Sequence, residues 1–203
     1  MSGSNSICVT TVLLETGILP MQEPVTYLTQ QAPGGLIAIR AECTQGKVTK
    51  VTVETLPRFA SQLDATLEVS DLGSLRVDTA FSSDSFVIVD AEGLGFKLLP
   101  EVAHYIVELG LRITKVANHQ LVFRHPVQPE WTHISFCQIA GPLHQDGENL
   151  SELNAVVIQP GKIDRLPCGS GLCARMAVLH AKGQMQIGDK LISRSVINSQ
   201  VEG

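Results

Sequence analysis

Ser2 and Cys168 open two stretches of the same design, Met1-Ser2-Gly3-Ser4-Asn5 followed by Val12, Leu13 and Gly17, and Pro167-Cys168-Gly169-Ser170-Gly171 followed by Val178, Leu179 and Gly183. In register, Gly3/Gly169, Ser4/Ser170, Val12/Val178, Leu13/Leu179 and Gly17/Gly183 are identical. Each copy reads as a tight turn that starts a short amphipathic helix and a glycine that stops it. The unpaired N–H groups and positive dipole end of a helix N-terminus favour a carboxylate or phosphate, and small residues let the anion approach closely. A cysteine at such a place has its thiolate stabilised below the ordinary pKa of ~8.5, which makes it a base usable at neutral pH. Serine there is only a weak base or a relay. If the two copies face each other across a pseudo-twofold axis, Ser2 and Cys168 flank one small anionic ligand, the layout for moving a proton between two faces of a carbon. Gly-Ser turns also start helices that bind nothing, so the residues alone leave a purely structural duplication open.

These turns must be held by the elements around them. A helix runs from Ser2 to about Gly17, ended by Pro20 and Pro24. Strand signals follow at Tyr27-Leu28-Thr29, across the hairpin turn Pro33-Gly34-Gly35 to Leu36–Arg40, and after Gln45-Gly46 at Lys47–Val53, where apolar and polar residues alternate strictly. Leu67–Val69 and Leu75–Asp78 are further strands, and Phe86–Val89 is a continuous apolar run suited to a buried one. Asp90 and Glu92 are expected to cap the next turn. Pro100-Glu101 opens a helix with the apolar stripe Val102, Tyr105, Ile106 and Leu109, stopped by Gly110. Trp131–Cys137, Ala155–Ile158 and Leu191–Ile197 complete the strands, with a polar loop from Gly141 to Glu152. The order of helix, strands, helix, strands and helix is α+β.

Composition narrows the functional classes. The 203 residues are 44% hydrophobic, enough for a full core, and the net charge of −5 with scattered lysines and arginines offers no basic stripe to nucleic acid or a membrane surface. No apolar run approaches the ~18 residues of a membrane span and the start lacks the character of a signal peptide, so a cytoplasmic location is expected. Five widely spaced cysteines argue against a disulfide framework, and six histidines without ligand spacing give no support to a metal site. Cys137 reads as a small buried apolar residue, and His180 as a helix-surface or packing residue.

Asp164-Arg165-Leu166-Pro167-Cys168-Gly169-Ser170-Gly171 with Ala174 to Gln184 resembles the second signature of the proline racemase family, and Met1 to Asn5 through Glu15 to Met21 resembles the first. Ala32–Leu36, Ser85–Asp90 and Ile134–Phe136 are also similar to that family, so the likeness covers essentially the whole chain. The resemblance implies a cofactor-independent enzyme of diaminopimelate-epimerase-like fold, in which a curved sheet wraps a central helix in each half. It implies one full half-domain here plus part of the other, with residues 1–25 the remnant of the first and 26–203 the second. Two catalytic groups flank the α-carbon in that family, one removing the α-proton and the other donating to the opposite face. Ser2 takes the first position and Cys168 the second, a pairing similar to the branch that acts on hydroxyprolines, by 2-epimerisation or by dehydrating trans-3-hydroxy-L-proline. Asp164 matches the carboxylate that holds the ring nitrogen, and Gly3, Ser4, Gly169, Ser170 and Gly171 match the N–H groups that bind the substrate carboxylate. For Asp164 a helix-cap role is the alternative.

The resemblance therefore implies no cofactor and no metal, a small amino acid such as hydroxyproline or proline as ligand, and a homodimer as one way to cover exposed surface. Departures from the family pattern define a second reading. Ser4 stands where many members carry histidine, Ser82-Ser83 replaces Gly-Gly, and Asn198 and Val201 replace Gly and Phe. Family members also extend beyond both ends of this sequence, which is expected to leave Val9, Val12 and Leu13 of the first helix without their sheet. On that reading the chain folds and binds a small carboxylate or nothing, without turnover. Acyclic substrates of the diaminopimelate type fit less well, because both signatures resemble the proline branch. Between the two enzymatic outcomes, a serine opposite a thiol is a mismatched acid pair, which leans toward dehydration.

Overall fold

Alternation and turn chemistry build the first sheet. In the computed structural model, which describes residues 2–32, 35–54 and 57–203, Val25–Ala32 (β1), Gly35–Thr44 (β2) and Lys47–Glu54 (β3) form an antiparallel sheet in the order β1-β2-β3. Ala32 pairs with Gly35, so these strands form the expected hairpin, while Pro33 and Gly34 at its tip lie outside the described residues. The second turn uses Gln45 and Gly46, both at positive φ, as a two-residue hairpin requires. Helix α1 (Gly3–Glu15) packs on this sheet. Leu14 joins Ala41 and Cys43 in a small core, Gln30 donates its side-chain amide to the Ser6 carbonyl and the Thr10 hydroxyl, and the Glu15 carboxylate receives Lys47 Nζ at 2.7 Å and the Val48 N–H at 3.0 Å.

The chain forms two compact units, Met1–Pro57 and Arg58–Gly203; in the first, β1 to β3 pair with one another and carry α1.

In the second unit, Phe59–Val69 (β4), Gly73–Phe81 (β5), Ser85–Asp90 (β6), Phe136–Ala140 (β7), His144–Asp146 (β8), Asn149–Ile158 (β9), Lys162–Ile163 (β10), Leu191–Ser195 (β11) and Gln200–Glu202 (β12) make a mixed sheet. Its order is β12-β11-β9-β7-β6-β5-β4, with β8 and β10 pairing to β9. The β6–β7 and β9–β11 pairs are parallel and the rest antiparallel. Alternate residues face two helices. Val87, Val89, Cys137, Ile139, Ala155 and Val157 lie in a core with α2 (Ala103–Gln120), whereas Phe86, Ile88, Ala140 and Val156 pack with α3 (Gly169–Ala181). Both faces are thus covered by helices, and the second unit is an α+β structure of the expected class.

Four local expectations are corrected here. Gly110 does not stop its helix: α2 runs on to Gln120, and a Cβ at Gly110 would lie 2.5 Å from Val157 Cγ2, so the glycine permits close helix–sheet contact. The stretch 141–152 is not all loop, since β8 and the start of β9 form a hairpin around Gly147, which has positive φ. Trp131–Ser135 precedes β7 without joining the sheet; the Trp131 indole N–H instead donates to Ser85 Oγ at 3.1 Å. Asp90 caps nothing at the following 3-10 turn and faces Arg175 at 3.7 Å.

Candidate active site

The repeated sequence produces repeated local geometry. Ser2 is the N-cap of α1 and Cys168 the N-cap of α3, both in extended backbone conformation. In each copy the N-cap side chain reaches the hydroxyl two residues on: Ser2 Oγ lies 3.1 Å from Ser4 Oγ, and Cys168 Sγ lies 3.3 Å from Ser170 Oγ. The first intrahelical bonds run from Ser6 N–H to the Ser2 carbonyl at 3.0 Å and from Leu172 N–H to the Cys168 carbonyl at 2.7 Å. The N–H groups of Gly3 and Ser4, and of Gly169 and Ser170, lie ahead of those bonds, and a Cβ at Gly3 or Gly169 would meet nothing within 4 Å. An anion could therefore approach either turn. Gly17 and Gly183 follow the C-caps with φ of 73° and 72°, and at α3 the Gly183 and Gln184 N–H groups close back on His180 and Leu179, the pattern in which a left-handed glycine ends a helix.

The caps differ in strength. Ser2 Oγ accepts the Asn5 N–H at 3.4 Å, a long cap bond, whereas the Cys168 thiol makes no comparable cap bond.

Asp164 reaches Cys168 because β10 returns along β9: the Asp164 N–H donates to the Val156 carbonyl at 3.0 Å, just before the chain turns into α3. The helix-cap alternative for Asp164 is overturned, since Cys168 holds the cap position. Burial pushes the Asp164 carboxyl up from its ordinary range, while a hydrogen bond with the Cys168 thiol and the Lys162 charge pull it down. The thiol shows the same tension. Burial pushes Cys168 up, the Ser170 hydroxyl and Gly171 N–H pull it down, and the Asp164 carboxyl adds to the rise. This corrects the expectation of a thiolate favoured by the helix end, because desolvation of the charged form outweighs the donors at this half-buried site.

Ser2, Gly3 and Ser4 belong to the first unit, and Asp164, Cys168, Gly169, Ser170 and Gly171 to the second. Within each unit the expected residues come together at one helix start. His180 sits on the exposed side of α3 with Nδ1 3.0 Å from the Met185 carbonyl, and Cys137 is fully buried, as read from sequence. A cavity of about 420 Å³ runs past Arg58, Met176, His180 and Ile187 but is lined by neither Cys168 nor Asp164, so its size does not mark the chemistry.

Two polar features beneath α3 were not anticipated. Arg175 Nε donates to Glu152 Oε2 at 2.9 Å in the buried layer between helix and sheet, with Asp90 on its other side. Gln138, on the α3 face of β7, is fully buried, and neither end of its carboxamide finds a partner among the described residues. For Gln138 the sequence signal is a polar residue at an inward position of an otherwise apolar strand, whereas Glu152 lies in a polar stretch of β9 that hides it.

A family profile described as proline racemase matches residues 1–203. Among solved structures, a hydroxyproline epimerase from Agrobacterium vitis with bound trans-4-hydroxy-L-proline shares 35% identity at a TM-score of 0.84, with 100% of this chain and 57% of that one covered. A probable proline racemase from Agrobacterium radiobacter with bound carbonate shares 32% identity at a TM-score of 0.85, covering 100% and 58%. A methylitaconate-delta-isomerase, at 11% identity and a TM-score of 0.60, covers 100% and 65% and shows a shared fold only. The chain thus spans a little over half the length of the similar solved proteins.

Proposed function

Since the chain belongs to the proline racemase family, we propose that Cys168 exchanges a proton with the α-carbon of a hydroxyproline and that the protein epimerises that carbon. The observation that carries the reading is the cluster at the start of α3: a thiol at the helix N-cap, a carboxyl near enough to influence its ionisation, and open space before Gly169. In this reading the substrate carboxylate binds the Gly169 and Ser170 N–H groups and Asp164 holds the cationic ring nitrogen. The thiolate of Cys168 takes the α-proton, and the electron pair left on carbon spreads into the carboxylate as an enediolate, which the N–H groups stabilise as its charge grows. At the start of α1, Ser2 repeats the position of Cys168, and Gly3 and Ser4 repeat those of Gly169 and Ser170, so these residues are assigned the matching roles of proton exchange and hydrogen-bond donation.

Substrate binding also resolves the cost of forming the base. Asp164 opposes ionisation of Cys168, so a cation placed against Asp164 offsets that opposition. The thiolate forms when the ring nitrogen arrives, and the free site keeps its proton.

The test is α-proton exchange of hydroxyprolines in D2O followed by NMR. Exchange with inversion of the α-carbon supports epimerisation; Cys168→Ser should abolish it, and Asp164→Ala should act chiefly by weakening binding. A dehydratase reading is favoured by one feature, Ser2, whose acidity does not match that of a thiol. Loss of the α-proton together with the 3-hydroxyl, releasing water and leaving a cyclic ketimine, would distinguish it in the same experiment. Absence of exchange would overturn the enzymatic reading and leave a family relative that binds a small carboxylate at most.

A further inference from the structure

Cys168 must ionise to act, yet its surroundings resist the charge, so the donors within reach of the thiol decide whether it can work. Ser170 and Gly171 are two. Beneath them lies a third group without an evident task. Gln138 pairs with Ile88 on β6 and Val156 on β9, so its side chain projects from the centre of the sheet toward α3, among Phe86, Ile88, Ala140 and Val156. Its Oε1 comes within 3.0 Å of the point where a Cβ on Gly171 would sit, and the Cys168 Cβ comes within 3.2 Å of that same point. The carboxamide is therefore aimed at the first turn of α3, on the side where the Cys168 Cβ also approaches Gly171.

A fully buried primary amide with neither oxygen nor nitrogen bonded is costly, because it forfeits its bonds to water and recovers none. A methionine or leucine would fill the same apolar space without that cost. Groups kept in spite of such a cost commonly serve the site they face.

We propose that Gln138 is a positioning residue of this site, turning its carboxamide to donate Nε2–H toward the Cys168 thiolate when that charge forms. The amide's two ends are interchangeable by rotation about its last bond, so the end facing Gly171 presents either oxygen or nitrogen. Oxygen suits the protonated thiol. Nitrogen suits the thiolate, and a donor delivered in a desolvated layer is worth more than one in water. Gly171 belongs to the arrangement, since any side chain there would meet Gln138, Val156 and Cys168 together. The inference rests on the reading of Cys168 as the base, but its test needs no substrate.

The experiment is the pH profile of Cys168 alkylation by iodoacetamide, resolved by mass spectrometry, with the exposed Cys8 of the same chain as internal reference. In Gln138→Met the profile of Cys168 should move up by about one pH unit, a roughly ten-fold loss of rate below its midpoint, with Cys8 unchanged. Melting temperature should rise or hold, because the unpaired amide is gone. Gln138→Glu, which keeps the shape but adds a negative acceptor, should move the profile further up. An unchanged Cys168 profile in folded Gln138→Met overturns the proposal, as does a loss of stability with no change in profile, which assigns Gln138 to packing alone. If Gln138→Met does not fold, Gln138→Leu takes its place, and failure of both to fold likewise assigns the residue to packing. Absence of α-proton exchange in the wild type bears on the proposed function; an unmoved thiol profile bears on Gln138.

Discussion

Helices α1 and α3 begin and end alike, yet they turn different faces to their sheets. On α3 the buried residues include Ala174, Arg175 and Val178, which correspond in the repeat to Cys8, Val9 and Val12 of α1, all exposed. Val9 and Val12 are 47% and 54% exposed, whereas Val178 is fully buried. Conversely, α1 buries Thr10 and Leu14, whose counterparts Met176 and His180 are half-buried and exposed, while Ser6 and its counterpart Leu172 are buried in both. The difference lies in what each helix meets. Helix α3 lies on the apolar face of a wide sheet and is tied to it by Arg175 with Glu152 and Asp90, and by Lys182 with Asp64 and Asp78. Helix α1 meets a narrow sheet through hydroxyls, one leucine and Glu15. The same turn–helix–glycine pattern thus specifies where a helix starts and stops without specifying which side is covered.

The comparison can be tested by substituting matched positions. The largest effect is expected at Arg175→Ala, which strands the buried Glu152 carboxylate and should cost about 3–5 kcal/mol. Urea unfolding followed by the fluorescence of Trp131, the single tryptophan, reads it in the second unit. Val9→Ala, at the matching position of α1, should change stability by no more than about 0.5 kcal/mol. A comparable loss at both positions would refute the claim that the faces differ.

Next is the identical pair Val178 and Val12. Val178→Ala removes packed methyls and should cost about 2 kcal/mol, while Val12→Ala should stay within about 0.5 kcal/mol. Amide hydrogen exchange along α1 and α3 resolves each effect to its own helix.

Smaller again is the cap. Ser2→Ala should loosen the first turn of α1 by about 0.5–1 kcal/mol, seen as faster exchange of its first amides, whereas Cys168→Ala should loosen α3 less, because the thiol makes no well-formed cap bond and loses only a weak interaction with the Gly171 N–H. Equal fraying of both helices would show that the Ser2 bond is not what holds α1.

The pH responses should differ in sign. Lys47 first, then the Val48 N–H, hold the Glu15 carboxyl below its ordinary range. Its native-state proton affinity is lower than in the unfolded chain, so its contribution is present above the unfolded pKa and disappears as pH falls through the folded one. Exposure and screening make this contribution slight, and salt should weaken it. Glu152 is opposite: burial raises it against the pull of Arg175, so protonation at acid pH favours the native form and that contribution is lost as pH rises through the folded value. Exchange measured from pH 6 to pH 3 should show α1 loosening relative to α3. Parallel loosening of the two helices would mean that these carboxylates do not govern them.

Read from sequence alone, the class of fold and the positions of most strands were legible, because Lys47–Val53 alternates and Phe86–Val89 is apolar throughout, and these patterns belong to local geometry. The two helix starts at Ser2 and Cys168 and their ends at Gly17 and Gly183 were legible for the same reason: caps and left-handed glycines act within one turn. Gly110 shows the limit. A glycine that stops a helix and one that lets a helix approach a sheet look alike until Val157 is placed against it. The division after Pro57, the side of α1 that is covered, the clash of burial with the helix end at Cys168, and the aim of Gln138 toward that turn all depend on residues distant in the chain. Burial and desolvation are sums over such neighbours, and only the tertiary structure brings those neighbours together.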